Sequence, residues 1–346
     1  MRVRDLIFGL VAAGLLATYL VLGSQLYAAV GPSVAPTPTP SAPRSAQPAP
    51  RVPGTIAFAI QGDVYVMREG AYSHLTSEGR NQQPLLSADG RTLYFVRREQ
   101  IDGQRSLQGQ RVNARLGYSS IVTKASAGGT ETKVLDGLRR EDRAGGFHEV
   151  SWLLSPALSP DGRRLAFLED DGDGAADLVI LDLATRQRRP LSQGADLADL
   201  SWSPDGRTVA ATSYNTGVAG ILLWDAERSG AARRVEALPD GDAYRASYSP
   251  DGKWIVYALR RDGRNDLHAF ELATRRDVAL TSDGRSWGGV FSPDGKWIAF
   301  LREQGGTIDL WAMELADALG GGSPRPATRL TKGEGVDGQS RPSWSN

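Results

Sequence analysis

Only three imidazoles are available for acid–base or metal chemistry in this chain, at His74, His148 and His268, and there is no cysteine. The lack of thiols excludes disulfides, thiolate zinc sites, thiol nucleophiles and a lipidated cysteine. His148 stands next to Glu149, a minimal acid–base pair. His74 and His268 fall in segments that read as strands of different repeats. Carboxylates cluster once, in Asp171-Gly172-Asp173-Gly174-Ala175-Ala176-Asp177. Oxygen ligands at such short spacing suit Ca²⁺, with Asp171, Asp173 and Asp177 as the candidate ligands. The full calcium-loop pattern would require a glutamate at the twelfth position, which is missing, so an ordinary hairpin is the competing reading. There is no Gly-x-Ser-x-Gly elbow, no His-Glu-x-x-His, no phosphate loop and no dinucleotide fingerprint. No catalytic residue and no cofactor beyond the calcium candidate is therefore expected.

Five further aspartates recur in one context. Asp89, Asp161, Asp205, Asp251 and Asp294 each occupy the third place of Ser-Pro/Ala-Asp-Gly, at spacings of 72, 44, 46 and 43 residues. Proline there presets φ near −65° and glycine supplies positive φ, so each copy reads as a tight turn and the carboxylates as structural. A large apolar residue precedes every serine: Leu86, Leu158, Trp202, Tyr248 and Phe291. Runs such as Trp254-Ile255-Val256-Tyr257 follow, dense in β-formers and apolar on both faces. A second element, LDLATRQRRPLS at 181 and FELATRRDVALT at 270, recurs at 89 residues, two periods. A period in the forties with four strands per unit signals a β-propeller. The chain stops at Arg341-Pro342-Ser343-Trp344-Ser345-Asn346, which matches only a first strand, whereas Gly54-Thr55-Ile56-Ala57-Phe58 matches a second. Pairing them completes a sixth blade and leaves no open edge. The predicted fold is an all-β six-bladed β-propeller over residues 54–346, closed by N- and C-terminal strands that share the last blade.

These repeats resemble the TolB-like propeller family, a Ser-Pro-Asp-Gly variant of WD-type repeats, across residues 54–346. The resemblance implies the fold directly. For function it reaches translocation accessory proteins, propeller domains of serine oligopeptidases, and some lyases and cyclases. An α/β-hydrolase domain of about 250 residues, such as the oligopeptidases carry, is not expected in the remaining length. TolB itself has a small α/β domain ahead of its propeller, where this chain has an apolar stretch and a Pro-rich segment.

That N-terminal region differs from the rest. Arg2 and Arg4 precede an uncharged stretch from Leu6 to Val30, long enough to approach the span of a bilayer core. Residues 1–30 are read as a membrane anchor with the propeller outside the cytoplasm. The alternative is a cleaved signal and a secreted or periplasmic product. Residues 31–53 are rich in Pro, Ala, Ser and Thr and read as a semi-rigid linker.

Balanced charge, with 40 basic and 40 acidic residues, argues against nucleic acid as a partner. Long loops on a rigid scaffold concentrate binding residues, and propeller topology puts three irregular segments on one face: 97–118, 136–155 and 169–177. Arg105, Arg111 and Arg115 of the first oppose the acidic third, which suggests a two-signed partner surface; mutual neutralisation as solvated decoration is the other reading. The channel is the second candidate. The residue four before each repeat serine should sit at the inner end of the first strand: Gln83, Ser155, Asp199, Arg245, Gly288 and Arg341. Gln83, Asp199, Arg245 and Arg341 could hold a peptide terminus or small ligand, with His148 and Glu149 on the same face. The expected role is a non-catalytic extracytoplasmic binding scaffold, monomeric, for a protein, peptide or cell-envelope polymer. The alternatives are a channel-sited lyase or cyclase and a small-ligand sensory domain.

Overall fold

A computed structural model of the chain describes residues 52–346 apart from 108–109, 142–147, 173–174, 194, 216, 229 and 316–317. The anticipated anchor and the linker up to residue 51 lie outside these residues, as do Asp173 and the side chains of Arg105 and Arg111. Among the described residues, no helix is long and apolar enough to cross a membrane.

Six antiparallel four-stranded sheets account for nearly all the ordered backbone. Blade one comprises Asn81–Leu86, Thr92–Leu107, Gln110–Ala125 and Thr132–Asp136. Blades two to five follow in chain order, each opened by an inner strand: Trp152–Leu158, Leu197–Trp202, Asp242–Tyr248 and Ser286–Phe291. Blade six joins Ser343–Ser345 to Thr55–Ile60, Asp63–Arg68 and Ala71–His74. Its seam pairs Ile56 with Trp344 and Thr55 with Ser345, as the repeat frame predicts. Gly54 makes this join possible: its φ is +76°, and a Cβ there would lie 2.3 Å from the carbonyl oxygen of Ser345.

Apolar burial follows from the strand composition. Each second strand is apolar on both faces because each face meets a different blade, and all six residues of Thr55–Ile60 are buried. Six separate clusters result, one per blade-to-blade junction. Phe95 and Leu86 pack against Val64 and Val66 between blades six and one, and Phe167 and Leu165 against Ile121 between one and two. The remaining four junctions are filled in the same way. Six junctions for six blades close the ring.

Two hydrogen-bonded devices repeat with the blades. In each Ser-x-Asp-Gly turn the serine hydroxyl donates to the aspartate at 2.5–2.6 Å and accepts the N–H five residues on at 2.9 Å. The aspartate accepts the N–H two residues on as well. These bonds favour the ionised form. The Ser159 and Ser203 hydroxyls, and next the N–H groups of Arg163 and Arg207, hold Asp161 and Asp205 below the ordinary carboxylate range. The second device was not anticipated from the sequence. Asp63, Asp266 and Asp309, at or near the start of third strands, accept from Thr76, Thr281 and Thr331 and from the N–H of Gly79, Gly284 and Gly333. Each latch ties a fourth strand and the following link to the blade.

Two segments read as irregular are ordered strand. Residues 97–118 extend the second and third strands of blade one into a hairpin arm, paired in register from Thr92↔Ala125 to Leu107↔Gln110. The link into blade two forms its own ladder, Leu138–Glu141 with His148–Val150.

Candidate functional site

The inner strands converge on a central channel, and the sequence repeat sets its narrowest point. In blades one to five the first strand carries a bulge at the same repeat position. Gln83, Ser155, Asp199, Arg245 and Gly288 sit there with φ of 50–66°. Four of these are not glycine, and left-handed backbone at such residues costs of order 1 kcal/mol each, so the surroundings must hold it. They do so by a relay. The Ser155 N–H donates to Gln83 Oε1 (2.7 Å), that of Asp199 to Ser155 Oγ (3.1 Å), and that of Arg245 to Thr212 Oγ1 (2.9 Å). The Gln83 N–H donates to Ser340 Oγ of blade six (3.0 Å).

Two arginines cross this waist in opposite directions. Arg245 of blade four donates to the carbonyls of Gly338 (2.7 Å) and Gln339 (3.1 Å), and its Nε faces Asp199 at 3.4 Å. Gly288 beside it has φ of 66°, which favours glycine, and a Cβ there would meet Nη1 at an ordinary contact distance of 3.7 Å. Arg341 of blade six spans the channel to the carbonyls of Ala246 and Leu200, both at 2.7 Å. Desolvation lowers its pKa, with Asp199 opposing that and Arg245 adding to it. Asp199 is already engaged by Arg245, and among the described residues no carboxylate forms an ion pair with Arg341.

The waist divides the channel into two cavities. On the face of the Ser-Pro-Asp-Gly turns lies a funnel of 350 Å³, walled by prolines, by Leu86, Leu158, Trp202, Tyr248, Phe291 and Trp344, and in similar measure by polar residues such as Ser201, Ser249 and Ser292. Among the described residues, Asp199 and Arg341 are the charged side chains that line it. The opposite face, which carries the blade-one arm, opens into a chamber of 440 Å³. There Arg260 binds Asp242 at 2.7 Å, and the Tyr244 hydroxyl donates to Asn265 at 2.8 Å. Burial pushes Tyr244 up to about 12, against Arg245 and Arg260, and raises Tyr214, with Asp199 adding to the latter.

The structure thus brings Gln83, Asp199, Arg245 and Arg341 together, at the waist and not at a mouth. Gln83, Asp199 and Arg245 stand at bulges, whereas Arg341 precedes the closing strand, and no sequence feature other than their fixed place in the repeat marks them. His148 and Glu149 do not join them or each other. They are neighbours on a paired strand, opposite Glu141 and Arg140 respectively, so their side chains leave opposite faces. Glu149 lies 3.7 Å from Arg140.

Several described side chains of the two-signed surface pair with one another. Arg115 meets Asp102 of the same arm (3.6 Å), Arg97 binds Glu131 (2.7 Å), and Glu169 is held by Arg188 and by Arg139. Asp171 is exposed at a hairpin turn whose flanking residues Glu169 and Asp177 pair across the strands. Among the described residues, no group of three or more metal-type ligands forms. His74 stacks on Tyr65 at 4.6 Å between ring centroids, and His268 Nδ1 lies 2.7 Å from Asp277. Sequence reasoning missed Tyr214, Tyr244 and Trp287 in the chamber, because each lies outside the repeated turn motif.

Comparison with known proteins agrees with this architecture. A TolB homolog of Chlorobium luteolum is 31% identical over 177 residues, covering 50% of this chain and 37% of that protein. An uncharacterized peptidase of Bacillus subtilis is 31% identical over 113 residues, covering 31% of this chain and only 17% of its own length. The crystal structure of TolB from Acinetobacter baumannii superposes with a TM-score of 0.61 at 20% identity, covering 84% of this chain and 66% of that one. The chain therefore spans well under half the length of these curated relatives. The family model for the TolB beta propeller domain matches residues 147–345, more than half of the sequence. The chain belongs to the TolB β-propeller domain family.

Proposed function

We propose that this chain is a non-catalytic binding scaffold of the cell envelope, held outside the cytoplasm, that receives a protein or peptide partner at the turn face of its channel. The observation that carries this reading is the funnel: a 350 Å³ cavity lined by prolines, large apolar side chains and serines, on a ring whose polar waist groups are mostly engaged in hydrogen bonds. Cavities of about 300–1,000 Å³ are the usual size of a binding site. Family membership supports the same reading, because relatives named TolB homologs share the blades. The exposed arm of blade one is a second contact surface in this scheme, through Arg105, Arg111 and Arg115. The N-terminal apolar stretch would fix the propeller to the membrane, or be removed on export.

The test is chemical crosslinking of the intact chain in its native envelope, followed by mass spectrometry. Crosslinks from turn-face peptides of several blades to one envelope protein are expected. Crosslinks confined to the chain itself, under conditions where known envelope complexes are captured, would overturn the reading. Deleting residues 100–114 should weaken capture and leave the melting temperature nearly unchanged.

A further inference from the structure

The geometry points to the funnel as a receptor for the C-terminal carboxylate of a partner chain, with Arg341 as the group that binds it. This inference rests on the scaffold reading above and names the part of the partner that enters.

Buried or partly buried charges are normally matched, because an unmatched one forfeits its hydration without return. At the waist this holds for Asp199 and Arg245, 3.4 Å apart, while Arg341 has no carboxylate in ion-pair contact among the described residues. One positive charge is left unmatched. A guanidinium carries five N–H donors, and two of Arg341's go to the carbonyls of Leu200 and Ala246. Those two bonds fix the group across the channel axis and leave three donors for a ligand. Arg341 lines the funnel and not the opposite chamber, so the free donors are reached from the turn face.

The shape selects a chain end. The funnel leads from the turn face to the waist, and aromatic and aliphatic side chains share its wall with serines, with Tyr248 and Trp344 only partly buried. An acidic side chain in mid-chain would have to carry two flanking segments into the same narrow space. A C-terminus enters axially as one strand, sets its last side chains against the aromatic wall and presents a planar carboxylate to a planar guanidinium, the bidentate match that arginine favours. Arg245 cannot serve in the same way, since its guanidinium is committed to Asp199, Gly338 and Gln339.

The test uses two pools of random hexapeptides, identical except that one ends in a free carboxylate and the other in an amide. Each is passed over the full chain, and retained peptides are read by mass spectrometry. Retention from the free-acid pool at least tenfold above the amide pool is expected, and Arg341→Met should erase that ratio. Arg341→Lys, which keeps the charge and loses the fork, should retain part of it; melting temperatures check that both variants fold. Equal retention of the two pools, or an acid preference unchanged in Arg341→Met, would overturn the proposal. Enrichment of internal Asp or Glu in amidated peptides would overturn the chain-end assignment. If the acid preference is absent while envelope crosslinks persist at the turn face, this inference fails and the scaffold reading stands.

Discussion

The two ends of the channel are built from the same strands, yet their charge balance differs. On the arm side, Arg260 is matched by Asp242 and Arg245 by Asp199, and tyrosines fill the space between them. On the turn side prolines and aromatic rings alternate with serines, and among the described residues the guanidinium at its base has no carboxylate in ion-pair contact. The apolar wall is a product of repetition, since every blade contributes the large residue that precedes its serine. The unmatched charge comes from the one blade that is not continuous in sequence, where Arg341 stands two residues ahead of the closing strand Ser343–Ser345. Repetition supplies the scaffold here, and a departure from it supplies the candidate recognition group.

The largest test of this contrast is Arg245→Met. It strands Asp199 in the waist and should cost about 3–5 kcal/mol in chemical denaturation; adding Asp199→Asn should recover part of the loss. If Arg245→Met were neutral, the pairing assigned to the arm side would be wrong. Next comes Gly54→Ala, which strains the seam shared by both ends. A Cβ 2.3 Å from the Ser345 oxygen at positive φ should cost about 3 kcal/mol and loosen both cavities together. A lesser change is expected for Arg341→Met. Two carbonyl hydrogen bonds are lost but an unmatched charge goes with them, so the cost should be about 1–2 kcal/mol, clearly below that of Arg245→Met.

The smallest effect concerns the turns that rim the funnel. Asp161 and Asp205 have folded pKa values below their unfolded value of about 3.9. Such groups contribute stability above that pH and lose it as pH falls through the folded values. Acid titration of stability should therefore show a decline below about pH 4, shallower in Asp205→Asn than in the wild type. An identical acid limb would remove the turn aspartates from the account.

Much of the fold was legible because a repeat states its own period. Five Ser-x-Asp-Gly turns set the blade count, and the match of Gly54–Phe58 to a second strand foretold its pairing with Trp344. The waist was legible only as a position. That Gln83, Ser155, Asp199 and Arg245 adopt left-handed backbone follows from a bulge and its hydrogen-bond relay, and neither leaves a mark in residue type. The difference between Arg245 and Arg341 was not legible at all, since it depends on which carbonyls each meets across the channel and on the carboxylate that Arg245 meets in the neighbouring blade. The blade-one arm was read as a loop because it lacks the apolar alternation of a core strand. It is a ladder nonetheless, held by cross-strand pairing in solvent. The aspartate latches went unnoticed because Asp and Thr stand 13 to 22 residues apart, with no fixed spacing between blades.

The central claim is that the partner enters at the turn face. A photoreactive amino acid placed at Tyr248, in the funnel, or at Tyr214, in the chamber, tests it in the intact chain within its native envelope. The account predicts a covalent adduct to one envelope protein from position 248, lost when Arg341→Met is added, and little or none from position 214. The same adduct from position 214 alone would contradict it.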